Sequence, residues 1–172
     1  MTIKNAYNNW SETYDTDPNL TRDLDEIVTR ESLKDRNFET GLELGCGTGK
    51  NTSFLAQICE KMWAVDFSEG MLEKAKNKLK LSNVTFLQSD ITKPWPFPGT
   101  AFDLIVCNLV LEHIEDLNFI FSEAGRTLKL GGAFYICELH PFRQYQGKKA
   151  RFEREEETIE IHAHIHDISD FL

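Results

Sequence analysis

The chain predicts an α/β fold built on a mainly parallel sheet with helices on both faces. Three observations carry that prediction. Short apolar runs alternate with helix-period segments from residue 38 to residue 140. The apolar runs are continuous, as strands buried on both faces are. A glycine-rich turn, Gly45-Cys46-Gly47-Thr48-Gly49, lies between the first apolar run and a helix-like run, where open α/β sheets take ligands.

The elements follow in order. Tyr7, Trp10 and Tyr14 recur at helical spacing. Leu20, Leu24, Ile27, Val28 and Leu33 form a 3.6-period stripe, which predicts an amphipathic helix over 20–36. Gly41–Leu44 reads as a strand, and Thr48 as the cap of a helix running to about Cys59. Met62–Val65 is a second strand ending at Asp66. Ser68 caps a helix over Glu69–Leu79, and Val84–Leu87 is a third strand ending near Asp90. The prolines of Lys93–Gly99 exclude helix and central strand there. Phe102–Cys107 is a fourth strand. A helix over Leu117–Leu128 ends on the stop signal Gly131-Gly132, and Ala133–Cys137 is a fifth strand. Beyond Leu139 the pattern fades. Arg151–Glu157 reads as a solvated loop or edge strand, Thr158–His166 as a strand, and Ile168–Leu172 as the start of a helix.

Composition narrows the function. At 172 residues the length prior is one domain, read as an N-terminal helical lid (1–37), a ligand-binding core (38–140) and a C-terminal lid segment (141–172). A net charge of −9 opposes nucleic acid and anionic membranes, and the basic run Lys148–Arg151 is too short to reverse that. No apolar run approaches the length of a membrane span. The four cysteines form no C-x-x-C pair and read as reduced thiols of a cytoplasmic protein. Met1–Asn5 lacks the apolar core of a signal peptide.

The glycine turn departs from the dinucleotide fingerprint. Its third glycine comes one residue early, and Glu43 precedes it. A carboxylate there repels a diphosphate but tolerates an ammonium or a sulfonium. The plainer reading is a tight turn without a ligand. Asp66 and Asp90 end the next two strands. Asp66 can accept from both ribose hydroxyls and Asp90 from an adenine amino group, or each can simply cap a turn. Three acids at three successive strand ends favour a ligand.

Four segments resemble the class I S-adenosylmethionine-dependent methyltransferases, small-molecule branch: Glu43–Gly49, Val65–Leu72, Gln88–Ile91 with Trp95–Asp103, and Cys107–Ile114. The turn Leu128–Gly132 agrees as well. The resemblance covers about 38–140 and implies a Rossmann-like fold. It also implies S-adenosylmethionine as cofactor, held by Tyr14, Glu43, Gly45, Cys46, Gly47, Gly49, Asp66, Phe67, Met71, Asp90, Ile91, Asn108 and Leu109. The expected reaction is methyl transfer to a small molecule. The candidate bases are His113, Glu138 and His140, with Tyr7, Trp10 and Tyr14 as a lid. His162, His164 and His166 would share one face of a strand with Glu160 beside them; the resembled branch uses no metal, so none is assigned. An alternative is a non-catalytic cofactor-binding or assembly module. A nucleotide-dependent oxidoreductase fits Glu43 poorly.

The resembled fold has seven strands, the last two an antiparallel pair beside strand five. The chain stops about 40 residues short of that, by typical element lengths. A C-terminally shortened sheet leaves strand five as an open edge. Two remedies are expected: Thr158–His166 folding back as a substitute strand, or a homodimer through that edge or the C-terminal segment.

Overall fold

The computed structural model describes residues 2–147, 149–154 and 157–171, without the side chains of 153, 154 and 157. Lys148, Glu155, Glu156 and Leu172 lie outside the described residues, and with them part of the basic run, the charge run and the C-terminal helix expected from the sequence.

Five parallel strands form the main sheet. They are β1 (Phe38–Leu44), β2 (Cys59–Asp66), β3 (Val84–Gln88), β4 (Phe102–Asn108) and β5 (Leu128–Cys137), in the order β3-β2-β1-β4-β5. The order reverses between β1 and β4, so a crevice opens at their carboxyl ends. The apolar runs are continuous because both faces are covered. On one face Leu42, Leu44, Phe102, Ile105 and Cys107 pack against Ile120 and Ala124 of α5 (Leu117–Thr127). On the other, Leu104, Val106 and Met62 meet Phe54, Leu55 and Ile58 of α3 (Thr52–Ile58) and Leu33 of α2 (Leu20–Leu33). Leu72 of α4 (Glu69–Lys78) covers Ala64 on β2. The proline-rich stretch is a loop, and its Trp95 is buried against the sheet.

The N-terminal helix α1 (Ile3–Trp10) lies on the start of α4. Asn8 Oδ1 fixes it there, accepting from Ser68 Oγ at 2.7 Å and from Gly70 N at 3.2 Å. Ser68 is the cap of α4, accepting from Met71 N.

Several sequence expectations need correction. Thr48 does not cap α3, which begins at Thr52; its hydroxyl instead donates to Asp15 at 2.5 Å. Gly131-Gly132 does not end α5. The helix stops at Thr127, and the glycines lie inside a longer β5, beside a register shift against β4. Gly131 has φ +80°, a bulge conformation. α2 is a helix, but most of its stripe faces outward: Leu20, Leu24 and Ile27 are 85%, 61% and 59% exposed, while Arg22, Asp25 and Thr29 are buried, and of the stripe only Leu33 at its end enters the core. Thr158–His166 does not lie beside the main sheet. Its first residues belong to β7 (Glu157–Glu160), paired antiparallel with β6 (Arg151–Arg154) in a separate ribbon. The ribbon packs on α1, with Phe152 stacked on Trp10 at 5.2 Å. Among the described residues no strand pairs with the outer edge of β5. No described helix is long and apolar enough to cross a membrane.

Candidate active site

A cavity of about 290 Å³ opens at the carboxyl ends of β1 to β4. Its floor is the glycine turn. Gly45, Gly47 and Gly49 all have positive φ. A Cβ at Gly47 would meet no protein atom within 4 Å, so that backbone stands open to the cavity. Gly49 does not line the cavity; its missing Cβ makes room for Leu79.

Asp66 ties this turn to the next element. Its Oδ2 accepts from Gly47 N at 2.9 Å and its Oδ1 from Ser68 N at 2.8 Å. Burial raises its pKa to about 6, and the backbone donors oppose that rise. A carboxylate has about four acceptor sites, so two remain for a ligand. Glu43 is also buried, and its Oε2 accepts from Thr52 Oγ1 at 2.5 Å. Burial pushes its pKa to about 8. Asp90 is exposed and closes a turn, accepting from Thr92 N and Thr92 Oγ1, with its other oxygen outside that turn.

The other cavity-lining residues expected from the sequence are Tyr14, Gly45, Cys46, Phe67, Met71, Ile91, Asn108, Leu109 and His113. Leu109 holds a φ of +55°, a conformation costly for a side-chain-bearing residue. Its N–H donates to Cys137 O at 2.9 Å. His113 faces Tyr7 across the rim. His113 Nδ1 lies 2.9 Å from His162 O and its Nε2 2.7 Å from the Tyr7 hydroxyl. A carbonyl only accepts, so Nδ1 carries the proton, and Nε2 accepts from Tyr7. Burial, reinforced by nearby acids, lifts the Tyr7 pKa well above its ordinary value, so the phenol stays neutral.

Glu138 and His140 do not line the cavity. Glu138 Oε1 accepts from Val110 N and Leu111 N, both at 2.8 Å, and so shapes the loop after β4. Its Oε2 is buried without a partner, and burial raises its pKa to about 8. His140 caps the short helix α6 (Pro141–Tyr145) through Nδ1. The histidines 162, 164 and 166 are not on one strand. His166 Nε2 lies 2.7 Å from Ile114 O, and His164 N donates to Glu112 O at 2.7 Å, so the segment straps the loop that carries His113. Among the described residues no group of three His, Cys, Asp or Glu is arranged to hold a metal.

Sequence reasoning missed the wall that α2 supplies. Asp25 accepts from Asn51 Nδ2 at 2.8 Å and from Thr29 Oγ1 at 3.4 Å, and Asn108 Nδ2 donates to that threonine at 2.8 Å. Asn51 Oδ1 and Asn108 Oδ1 are buried without protein partners beside the cavity. Arg22 stacks on Tyr14 at 3.9 Å. The only signal for Arg22, Asp25 and Thr29 was their common helix face.

A parallel sheet with a glycine cradle and acids at its strand ends defines a Rossmann-like domain that binds a nucleoside-type cofactor. The comparisons narrow the class. The methyltransferase-domain family model matches residues 42–136, more than half of the chain, and the chain belongs to this family of class I S-adenosylmethionine-dependent methyltransferases. It is 32% identical over 146 residues to malonyl-acyl carrier protein O-methyltransferase 2 of Coxiella burnetii, covering 81% of this chain and 58% of that protein. Demethylmenaquinone methyltransferase of Tropheryma whipplei is 33% identical over 107 residues, 61% of this chain and 44% of that protein. The chain thus spans about half the length of these relatives. The solved DhpI–SAH complex matches with a TM-score of 0.76 at 22% identity, covering 97% of this chain and 80% of that one, and speaks for the fold.

Glu138 generates a prediction. A carboxyl whose folded pKa is raised from 4.5 to about 8 favours the folded state when protonated. Its contribution is therefore lost as pH rises from the unfolded value through 8. Glu138→Gln keeps an acceptor for both backbone donors and removes the charge. Thermal unfolding should show the variant equal to the parent near pH 5, and more stable by at least about 1 kcal/mol near pH 8.5. Equal curves at both pH values would refute a buried, raised carboxyl.

Proposed function

We propose that this chain binds S-adenosylmethionine in the cavity at the ends of β1 to β4 and transfers its methyl group to a small-molecule acceptor in the cytoplasm. The observation that carries the reading is the open Gly47 backbone tied to Asp66, in a chain of this family. The residues fit the cofactor. Asp66 has free acceptor sites for ribose hydroxyls, and Asp90 with the Ile91 backbone suits an adenine edge. The unpartnered Asn51 Oδ1 and Asn108 Oδ1, with Glu43 and Asp25 nearby, suit an ammonium. When bound, the cofactor supplies an electrophilic methyl whose carbon–sulfur bond leaves its electron pair on sulfur as the new bond forms.

The chain's own work is positioning and proton transfer. Phe67, Met71 and Ile91 give the cavity apolar walls. The Tyr7 hydroxyl can take a proton from the acceptor while giving its own to His113 Nε2, and the carbonyl of His162 on Nδ1 steadies the imidazolium so formed. α1 and Tyr14 act as a lid that keeps water out. The three buried cysteines suit a reducing compartment. The open edge of β5 suits self-association.

Three measurements test this reading. Calorimetry should give S-adenosylhomocysteine binding and no NAD binding, with Asp66→Ala weakening the former by about 1.5–3 kcal/mol through lost charge-assisted hydrogen bonds. NAD binding, or an indifferent variant, would sink the assignment.

A methyl-transfer assay over a metabolite panel should find an acceptor. Tyr7→Phe should then slow turnover about a hundredfold and leave S-adenosylhomocysteine affinity nearly unchanged. Cofactor binding with no transfer anywhere in the panel would support the non-catalytic module instead.

Light scattering at high micromolar concentration should give a dimer. A monomer would remove the self-association from the reading.

A further inference from the structure

A second cavity of about 250 Å³ shares Tyr7, Tyr14, Arg22 and Leu109 with the first and extends away from it. Its charge is opposite to that of the molecule. The chain carries −9 overall, yet Arg22, Arg143, Lys149 and Arg151 all line this space. They come from four separate places: α2, α6, the link before the ribbon, and the first residue of β6. Among the described residues Arg143, Lys149 and Arg151 form no ion pair. The acidic surface elsewhere pairs Lys50, Lys78, Arg126 and Lys129.

Arg22 adds an independent sign. It is 91% buried by its 9% exposure, and its Nη1 and Nη2 donate to Tyr14 O and Asp17 O. Its Nε is buried with no partner. A buried guanidinium with a spare donor is completed by an acceptor, best an anionic one. Among the described residues one carboxylate, Glu112, stands in the same wall. Its Oε2 already accepts from Gln144 Nε2 at 3.2 Å, and its Oε1 lies 3.7 Å from His113. Among the described residues, four cations therefore outweigh one acid whose oxygens face protein partners.

Resting on the methyl-transfer reading, we propose that the acceptor is a small molecule bearing an anionic group, a carboxylate or a phosphate-type oxyanion. Arg143, Lys149 and Arg151 hold that group in the second cavity. The nucleophilic atom then points back toward Tyr7, which lines both cavities and is hydrogen-bonded to His113. Guanidinium forks give bidentate geometry to such groups, and three converging cations make a neutral analogue a poor substitute.

The test begins with S-adenosylhomocysteine titrated into the full chain. The loaded protein is then titrated by nuclear magnetic resonance at low salt with methylphosphonate, acetate and the neutral acetamide. At least one anion should bind about tenfold more tightly than acetamide, and the stronger of the two separates phosphate-type from carboxylate chemistry. Arg143→Gln with Arg151→Gln should erase most of that preference, and both positions are exposed, so the fold is spared. The double variant's S-adenosylhomocysteine affinity should stay within about twofold of the parent's. Equal binding of acetate, methylphosphonate and acetamide, or an unaffected double variant, overturns the proposal while leaving cofactor binding intact. Absence of S-adenosylhomocysteine binding in the parent overturns the methyl-transfer reading and this proposal with it.

Discussion

The carboxylate of Asp66 is the constraint on which the rest of the site depends. It takes one backbone N–H from the turn after β1 and another from the start of α4. Burying a carboxylate is costly, and two backbone donors offset part of that cost. Burial still holds its pKa up at about 6. From this point the architecture propagates. Ser68, held through its N–H, caps α4 and gives its hydroxyl to Asn8. Asn8 pins α1. α1 carries Tyr7, and Tyr7 meets His113 on the loop after β4. One buried acid thus sets both the glycine turn and, through three further contacts, the Tyr7–His113 pair.

The loop after β4 is set from the other side by a similar device. Glu138 receives Val110 N and Leu111 N on a single oxygen, and Leu109 is held at positive φ just before them. A Cβ at Gly45 would collide with Val110, so the glycine turn and this loop must be packed together. The C-terminal histidine segment then straps the loop by backbone contacts. Glu138, which the sequence suggested as a base, thus shapes this loop and does not line the cavity.

How much of this was legible in the sequence follows from where each element gets its order. β1 to β4 were legible because burial on both faces writes a continuous apolar run, and their boundaries moved by only a few residues. Asp66, Asp90, Asn108 and His113 were legible as cavity residues because parallel topology brings strand ends together whatever the side-chain details. Thr48 was misread because α3 begins four residues further on, at Thr52, and the Thr48 hydroxyl donates to Asp15 instead. Gly131-Gly132 was misread because positive φ serves a bulge as well as a helix end. β7 was half legible: its partner β6 falls inside the charge run read as a loop or edge strand, and alternation alone does not name a partner.

The inverted helix α2 shows why the remaining part of the site was hidden. Amphipathic periodicity says that a helix has two faces, and the usual inference sends the apolar one inward. Here Leu20, Leu24 and Ile27 face out, and Arg22, Asp25 and Thr29 face in. That orientation is stable only if the buried polar groups find partners. Most do: Asp25 has Asn51 and Thr29, Asn108 has Thr29, and Arg22 has two carbonyls and the Tyr14 ring. The ones that do not are Arg22 Nε, Asn51 Oδ1 and Asn108 Oδ1. They belong to residues lining the main cavity. A polar face turned inward, mostly satisfied by protein, that leaves Arg22 Nε, Asn51 Oδ1 and Asn108 Oδ1 on residues lining the cavity suits a ligand site. A helix placed only for packing would have buried Leu20 and Leu24 as it buries Leu33.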